Sequence, residues 1–491
     1  MTKNLQKWLG VSGGLLFILI NCWGLHRGDD FIPLISLALI GLYLLFFKLD
    51  ILIYLMAFVV PLSIPFENER INAGLSFPSE VIMVLITALF FVRIFLDLKI
   101  DKKVIFHPIT ITILIYLGWM LFTCFTSELP LVSFKFLLSN IWFIVSCYFI
   151  LFWLVKNDLS KWVKFMNCYM AGLAIVICIA TAKLALAGFP DKGVHWIMSP
   201  YYNDHTAYGA AIALFIPLQI GFFFLPNKPG YAKLLYVISF NLLMIGLFFS
   251  YCRAAWLSII GVIFVFIILK LRIKISWVLI GAGLLAFAFY SFSDDILYRM
   301  GSNSQDSSNN FGEHIRSISN ISTDASNVER LNRWTAAFGM IEERPWVGWG
   351  PGTYQFVYAS FQKSGYKTII TTNFGDGGNA HSEFIGPTAE TGFIGLATVL
   401  AVMIATLYTG IITYISARRK DLKIISLAAS LALISYYLHG VMNNFLDTDK
   451  LALPFWACVA VIVMVDLINK REIQVLANCD KTDDCDRTIA P

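Results

Sequence analysis

One histidine lies where a general base would be useful, inside the only long polar stretch (residues 293–387) of an otherwise apolar chain. His381 follows the glycine-rich segment GDGGNA and lies a few residues before a new apolar run, with Glu383 and Glu390 nearby. An imidazole exchanges protons near neutral pH, and here it would lie at the height of a lipid headgroup. This position favours a general base acting on a lipid-linked substrate, supported by the two glutamates. The alternative is a structural histidine that caps a helix or is held by hydrogen bonds.

Three arginines could bind the phosphates of such a substrate. Arg253 separates two apolar runs in SYCRAAWLS, where a cation is costly and usually marks a functional partner. Arg330 and Arg333, in ERLNRW, are three residues apart and would share the polar face of a helix. A guanidinium can donate two parallel hydrogen bonds to a pyrophosphate. The alternative for Arg253 is an anchor whose long side chain reaches the lipid headgroups.

Two further polar clusters lie at the ends of apolar runs. SPYYNDHTAYG contains Asp204 and His205, and HGVMNNFLDTDK contains His439. Neither cluster has the spacing of a recognised metal motif, so we expect polar packing between helices, with Asp204 and His205 as supporting residues and no metal. The turn GWGPG lacks the spacing and the lysine of a phosphate-binding loop. We therefore expect no nucleotide and no other cofactor.

The elements that must position these residues are predicted to be membrane-spanning helices. Of the 491 residues, 58% are hydrophobic and 14% are charged, and a mean hydropathy of +0.70 is far above that of soluble proteins. Apolar runs near the length of a span recur along the chain. The sequence predicts an all-α, polytopic transmembrane helical bundle of about 12–14 spans. The predicted spans are 9–25, 31–47, 51–66, 81–98, 109–125, 138–155, 165–188, 206–225, 235–251, 254–270, 275–292, 389–416, 424–440 and 452–469.

The short loops between these runs indicate the orientation of the bundle. Every second loop is rich in lysine and arginine, which is typical of cytoplasmic loops. These basic loops lie around residues 99–103, 156–164, 228–233, 270–274 and 418–423. The pattern predicts cytoplasmic termini and a large external loop. It also accounts for the formal net charge of +5 without a nucleic-acid partner.

The chain divides into four predicted segments. Residues 1–292 would hold about eleven transmembrane helices, residues 293–387 the large loop with the catalytic segment, and residues 388–470 the last three helices. Residues 471–491 are polar and are predicted to form a disordered cytoplasmic tail.

Within the large loop, the spacing predicts two helices. Ser326 and Glu329 have the spacing of a capping box and would open the first helix, which Pro345 ends. Thr353 would cap a second, aromatic helix. The apolar face of the first helix would comprise Val328, Leu331, Trp334, Phe338 and Ile341.

The motifs SYCRAAWLS, ERLNRW followed by RPWVGWGPGTY, and NAHSEFIGPTAETGFIG resemble the O-antigen ligase and O-antigen polymerase superfamily of bacterial envelope glycosyltransferases. The resemblance covers roughly residues 200–450 by motif, and the whole chain by hydropathy. It implies a multi-pass protein of the bacterial inner membrane with one large periplasmic helical loop. It also implies transfer of a glycan from undecaprenyl pyrophosphate without a metal or a nucleotide.

The resemblance implies roles for individual residues as well. Arg253 and Arg330 would hold the pyrophosphate, and His381 would deprotonate or orient the acceptor hydroxyl in an inverting transfer. Arg333 adds a second cation beside Arg330. Which of these two arginines contacts phosphate is left open.

The identity of the acceptor separates several functions that share this donor chemistry. A single visible pyrophosphate site favours a ligase, whose acceptor is lipid A-core. A polymerase would use a second lipid-linked repeat unit, and a protein O-glycosyltransferase would use a serine or threonine. A transporter for an anionic solute or a lipid-linked sugar would also suit external arginines and many spans. The few charges within the spans, and the lack of paired broken helices, argue against transport.

Overall fold

The computed structural model describes residues 31–68, 73–96, 101–156, 158–189, 196–274, 325–362 and 378–479, together with isolated positions before residue 31 and between 276 and 283. The predicted spans 9–25 and 275–292 therefore lie largely outside the described residues. The same holds for the first part of the large loop, 293–324, and for residues 480–491.

The described chain is almost entirely helical, which confirms the predicted all-α class. A single antiparallel hairpin, β1 (Ile64–Asn68) and β2 (Ala73–Phe77), interrupts the helices in the described ranges. The helices are α1 (Phe31–Phe47), α2 (Leu49–Val59), α3 (Ser79–Phe95), α4 (Lys102–Ile105), α5 (Pro108–Phe125), α6 (Pro130–Ile144), α7 (Ile150–Val155), α8 (Leu159–Leu186), α9 (His205–Phe223), α10 (Gly230–Phe249), α11 (Arg253–Lys270), α12 (Ala325–Glu343), α13 (Tyr354–Val357), α14 (Ile385–Ser416), α15 (Lys420–Gly440) and α16 (Asp449–Cys479).

Nine helices among the described residues are long and apolar enough to cross a membrane. They are α5, α6 continued through a π-helical turn into α7, α8, α9, α10, α11, α14, α15 and α16. Each overlaps a predicted span, so the chain is a multi-pass membrane protein. The predicted span 51–66 is wrong in extent, because a 3-10 turn containing Pro61 follows α2 and leads into β1.

The centre of the bundle is formed by α9, α15 and α16, the most buried of the candidate spans. Small residues allow these helices to approach closely. Gly221 of α9 faces Ala428 of α15, where an added Cβ would lie 2.5 Å from the alanine Cβ. By contrast, α10 and α11 expose most of their apolar surface, as expected for helices that face lipid on the outside of a bundle.

The C-terminal helix extends further than the sequence predicted. α16 continues to Cys479, so residues 471–479 are helical and the prediction of disorder is wrong for them. Polar contacts hold this end of the helix to the neighbouring loops. His107 contacts Asp466 at 3.0 Å, and Arg419 donates to Glu472 at 2.8 Å. Of these two contacts, the one from Arg419 to Glu472 lies within the extension, and single-residue patterns do not reveal it.

Candidate active site at one end of the bundle

The second half of the large loop packs onto the end of the bundle where α9, α11 and α14 begin and α15 ends. The backbone N–H of Glu383 donates to the carbonyl oxygen of Gly440 at 2.8 Å. Nearby, the Cys252 Sγ at the start of α11 lies 3.5 Å from His439 Nε2 in the last turn of α15. Residues far apart in the sequence therefore meet beside His381.

The loop helix α12 buries a different face from the predicted one. Its most buried side chains include Ala336, Ala337 and Met340, whereas Phe338, expected in the core, is 56% exposed. Small alanines let α12 lie close to the aromatic residues that follow it. Of the predicted apolar face, Ile341 is buried, Leu331 and Trp334 are half-buried, and the side chain of Val328 lies outside the described residues.

Arg333 belongs to this buried face, so the predicted placement of Arg333 on the polar face, opposite the apolar one, is wrong. Its Nε donates to Glu329 Oε1 at 2.8 Å and its Nη1 donates to the carbonyl oxygen of Asn379 at 3.0 Å. Its guanidinium also lies over the ring of Tyr358, 5.6 Å from the centroid. A buried cation is tolerated when it is paired in this way. Arg333 thus ties α12 to the segment that carries His381.

Glycine is required at position 378, where the segment before His381 passes Arg333. A Cβ added to Gly378 would lie 2.7 Å from Arg333 Nη1 and 2.6 Å from the Tyr358 hydroxyl oxygen. Any other residue would have to displace the guanidinium or the tyrosine. The glycine-rich segment before His381 therefore serves close packing at this position.

His381 itself has a left-handed backbone, with φ of 47°. This conformation is uncommon for a residue with a Cβ, and it recurs at functional sites. The His381 N–H donates to Asn379 Oδ1 at 3.1 Å. Among the described residues, no group is hydrogen-bonded to the imidazole ring.

Glu383 anchors the other side of His381 to the bundle. Its Oε1 accepts hydrogen bonds from the Tyr436 hydroxyl at 2.5 Å and from the backbone N–H groups of Phe445 and Leu446 at 2.7 and 3.0 Å. A carboxylate that accepts several hydrogen bonds from a folded backbone is a positional restraint. His381 is consequently held between α12 on one side and the α15–α16 connection on the other.

Glu390 joins the turn 345–353 to the start of α14. Its Oε1 accepts from the Tyr354 N–H at 3.1 Å, and its carbonyl oxygen accepts from the Gly350 N–H at 2.7 Å. Gly392, two residues later, has φ of 73° and kinks α14. A Cβ on Gly392 would lie 2.1 Å from the carbonyl oxygen of Trp346. Glu390 is therefore part of a tight junction between the two motifs.

The Thr353 hydroxyl does not cap the second loop helix as predicted. It donates to the carbonyl oxygen of Gly350 at 2.6 Å. The predicted aromatic helix is a single turn, α13, followed by a 3-10 turn at Tyr358–Phe361. Tyr354 and Tyr358 are stacked and buried within the loop, so this segment is a small core that supports Arg333.

Asp204 and His205 lie within the electrostatic reach of the site. Asp204 caps α9 by accepting from the backbone and the hydroxyl of Thr206, and lies 3.1 Å from His205 Nδ1. Partial burial opposes ionisation, but the hydrogen bonds from His205 and Thr206 outweigh it and hold the pKa of Asp204 well below its usual range. Its negative charge acts on His381 and opposes the charges of the nearby arginines.

The environment of His381 favours its neutral form. Burial, followed by the positive charges of Arg333 and Arg330, lowers the pKa of His381 to about 4. A neutral imidazole has a lone pair that can accept a proton. Arg330 and Arg333 therefore both lie near enough to His381 to influence its protonation.

Arg253 is the first residue of α11, as the sequence predicted, and is partly buried. The preceding residue, Cys252, is fully buried against Gly209 of α9. Burial raises the pKa of the Cys252 thiol to about 12, so this cysteine does not supply a thiolate nucleophile. The charge of Arg330 also acts on Cys252, which brings the loop arginine and the start of α11 into one neighbourhood.

Several residues of this neighbourhood were not predicted to have a role. Asn379 and Tyr358 contact Arg333, and Tyr436 contacts Glu383, so these residues position the His381 segment across long stretches of chain. His439 had been noted only as part of a polar cluster. No spacing rule links these residues, although the glycine at position 378 signalled close packing.

The described part of the chain contains no group of three or more His, Cys, Asp or Glu side chains arranged to hold a metal ion. The chemistry available to the described residues is that of two or three guanidiniums and a neutral imidazole. Such a set can bind a pyrophosphate and accept a proton from a hydroxyl.

Residues 238–400 match the family model described as O-antigen ligase. This segment contains Arg253, Arg330, Arg333 and His381, whereas Asp204 precedes it. The match confirms the predicted resemblance to the O-antigen ligase superfamily and supports a glycosyltransferase-like role of the ligase or polymerase type. Among curated proteins, none matches the chain.

Proposed function

We propose that this protein, whose residues 238–400 match the O-antigen ligase family, transfers a glycan from undecaprenyl pyrophosphate to an acceptor hydroxyl at the external, periplasmic face of the bacterial inner membrane. The observation that carries the proposal is the state of His381. Burial and the positive charges of Arg333 and Arg330 lower its pKa to about 4, which favours the neutral ring, and no described residue is hydrogen-bonded to the ring. A structural histidine would instead have its ring nitrogens bonded to protein groups.

In the proposed reaction, the acceptor oxygen attacks the anomeric carbon of the donor glycan. The new glycosidic bond forms as the bond between that carbon and the pyrophosphate oxygen breaks, with inversion at the anomeric centre. The acceptor proton passes to an imidazole nitrogen of His381. Undecaprenyl pyrophosphate leaves as an anion, and guanidiniums stabilise the charge that develops on it.

The low pKa of His381 is suited to a site that receives an anion. In the free protein the two arginine charges and burial favour the neutral ring. A bound pyrophosphate would offset the positive charges of the arginines and raise the pKa of His381. The ring would thus become a stronger base once the donor is in place.

The two loop arginines take different roles in this proposal. The guanidinium of Arg333 already donates to Glu329 and to Asn379, so we assign Arg333 to positioning the His381 segment. We assign Arg330 and Arg253 to the pyrophosphate, as the resemblance to the O-antigen ligase superfamily implies, because a guanidinium can donate two parallel hydrogen bonds to it. Glu383 and Glu390 support the site by holding the backbone.

We propose lipid A-core as the acceptor, because one pyrophosphate site is sufficient for a ligase. The test is a glycolipid gel with lipid extraction from wild-type and deletion cells. Loss of a ligase leaves polymerised glycan on undecaprenyl pyrophosphate and uncapped lipid A-core. A ladder that collapses to core plus one repeat unit would instead identify a polymerase.

The role of His381 is tested by the variant His381→Ala in purified protein with a lipid-pyrophosphate glycan donor. We expect transfer to fall by about 10² to 10⁴-fold, as for a lost general base, with little change in thermal stability. His107→Ala is the matched control, since His107 is buried and contacts Asp466 at 3.0 Å. That variant should lose stability and keep its specific activity. A stable His381→Ala protein with normal transfer would refute the role of His381.

A further inference from the structure

A groove of about 530 Å³ lies between α2 and α8, away from the candidate active site. On α8 it is lined by positions 160, 163, 164, 167, 168 and 171, and on α2 by positions 51, 54, 55 and 58. Both sets have the spacing of one continuous helical face. Two parallel helical stripes therefore form its walls.

The end of the groove nearest the start of α8 is cationic, because Lys164 lies there, one turn after Ser160. Lys228, from the segment before α10, also lines the groove, as does Asn167, which donates to the Tyr236 hydroxyl at 3.3 Å. The Lys164 ammonium lies over the ring of Tyr54, which also lines the groove, 4.5 Å from its centroid. Asp50 and Asp158 lie close to Tyr54. The Asp158 carboxylate caps α8 by accepting from the backbone and the hydroxyl of Ser160.

The other end of the groove is apolar. Phe58 and Ala171 line it, and α2 and α8 come into contact just beyond them. There, a Cβ added to Gly172 would lie 2.2 Å from the carbonyl oxygen of Phe58. The contact between α2 and α8 forms the closed end of the groove. Exposed apolar residues such as Ile51 and Leu55 border the groove on the side that faces lipid.

From this arrangement we infer that the groove binds one anionic phospholipid. Its phosphate would lie between Lys164 and Lys228, and an acyl chain would follow the apolar faces of α2 and α8. Charge complementarity selects the headgroup, because lysines near a membrane surface attract anionic lipids. The apolar end selects a lipid over a free phosphate ion. Lys164 lies near the start of α8 and Lys228 precedes α10, both in segments with the basic composition of the cytoplasmic side, so the lipid would come from the leaflet opposite the candidate active site.

The experiment is native mass spectrometry of the full-length protein in detergent, titrated with dioleoylphosphatidylglycerol, dioleoylphosphatidylcholine or inorganic phosphate. We expect one tightly bound phosphatidylglycerol, at least tenfold weaker phosphatidylcholine, and no retained phosphate. The double variant Lys164→Gln/Lys228→Gln should bind phosphatidylglycerol roughly 10 to 30-fold more weakly, since each lysine contributes about a factor of five.

Two further variants test whether phosphatidylglycerol binds in the groove. Ala171→Trp leaves both lysines in place but fills the apolar end, and should also weaken phosphatidylglycerol binding. Lys233→Gln removes an exposed cation that follows Lys228 by five residues and does not line the groove, and should bind like the wild type. Equal binding of both lipids, retention of phosphate alone, or normal phosphatidylglycerol binding by the double variant would each overturn the inference.

Discussion

Arg330 and Arg333 are three residues apart, but loss of each guanidinium should have a different consequence. Arg333 is 9% exposed and Glu329, to which it donates at 2.8 Å, is 4% exposed. Removing one partner of a buried ion pair costs about 3–5 kcal/mol. The variant Arg333→Met should therefore lower the free energy of unfolding by that amount. It also removes the donor to the Asn379 carbonyl oxygen.

The double variant Glu329→Gln/Arg333→Met separates stability from positioning. Because it removes both charges, we expect it to recover about 2–3 kcal/mol relative to Arg333→Met alone. Transfer activity should stay low, since the segment Asn379–His381 still lacks the arginine that holds it. Loss of the Arg333 charge should also raise the pKa of His381. The acid limb of the kcat/KM profile would then move to higher pH.

Arg330→Lys, unlike Arg333→Met, is expected to lower activity without lowering the free energy of unfolding. A lysine keeps the positive charge but cannot donate two parallel hydrogen bonds to a pyrophosphate, so activity should fall by about 10²-fold with little change in stability. Arg344→Lys is the matched control, because Arg344 pairs with the exposed Glu128 at 2.9 Å and such pairs contribute at most about 1 kcal/mol. Thermal unfolding in detergent measures the stability of each variant, and transfer from a lipid-pyrophosphate donor measures its activity. An Arg333→Met protein of wild-type stability, or an unstable Arg330→Lys protein with normal specific activity, would refute this division of roles.

Two other properties can be tested with single changes. Gly392→Ala should destabilise the protein by about 3 kcal/mol or more, because φ is 73° and the new Cβ would overlap the backbone at Trp346. Gly118→Ala, in open space within α5, should be neutral or stabilising by up to about 1 kcal/mol. Equal unfolding temperatures for the two would contradict the packing argument. In cysteine-accessibility labelling, positions 300–380 should react from outside and positions 418–423 only from the cytoplasm; labelling of the large loop from the cytoplasm would contradict the proposed mechanism.

The sequence predicted the positions of most spans because length and apolar composition are local properties. Nine predicted spans overlap helices that are long and apolar enough to cross a membrane. The hairpin after α2 was missed because its residues, such as Ile64 and Phe66, are as apolar as those of a span. The proline that interrupts the run was the available signal.

The orientation of α12 could not be predicted from hydrophobicity alone. Large apolar residues such as Phe338 indicated one face, but the structure buries the face with small alanines and a paired arginine. That choice depends on the space left by Tyr354 and Tyr358 and on an acidic partner four residues away. Such conditions are set by tertiary contacts, which override the local pattern.

The residues with reactive side chains were easier to identify than those that hold them. Arg253 is a cation between two apolar runs, and its cost drew attention to it. His381, Arg330 and Arg333 were noticed because they lie in the only long polar stretch of the sequence. The contacts of Glu383 with the backbone of Phe445 and Leu446 join positions more than sixty residues apart. No local pattern contains that information.

The way in which His381 is held bears on how it can act. The restraints are applied to the neighbouring backbone and to the side chains of Asn379 and Glu383, through Arg333 on one side and the α15–α16 connection on the other. A general base needs a fixed position and also a ring nitrogen that can accept a proton. Direct hydrogen bonds from the protein to the ring would fix its position but would occupy its nitrogens. Because one restraint comes from the loop and the other from the bundle, the position of the imidazole depends on how the loop lies on the bundle. Displacement of the loop would therefore move the base away from the arginine at the start of α11, and transfer should require both parts to be packed together.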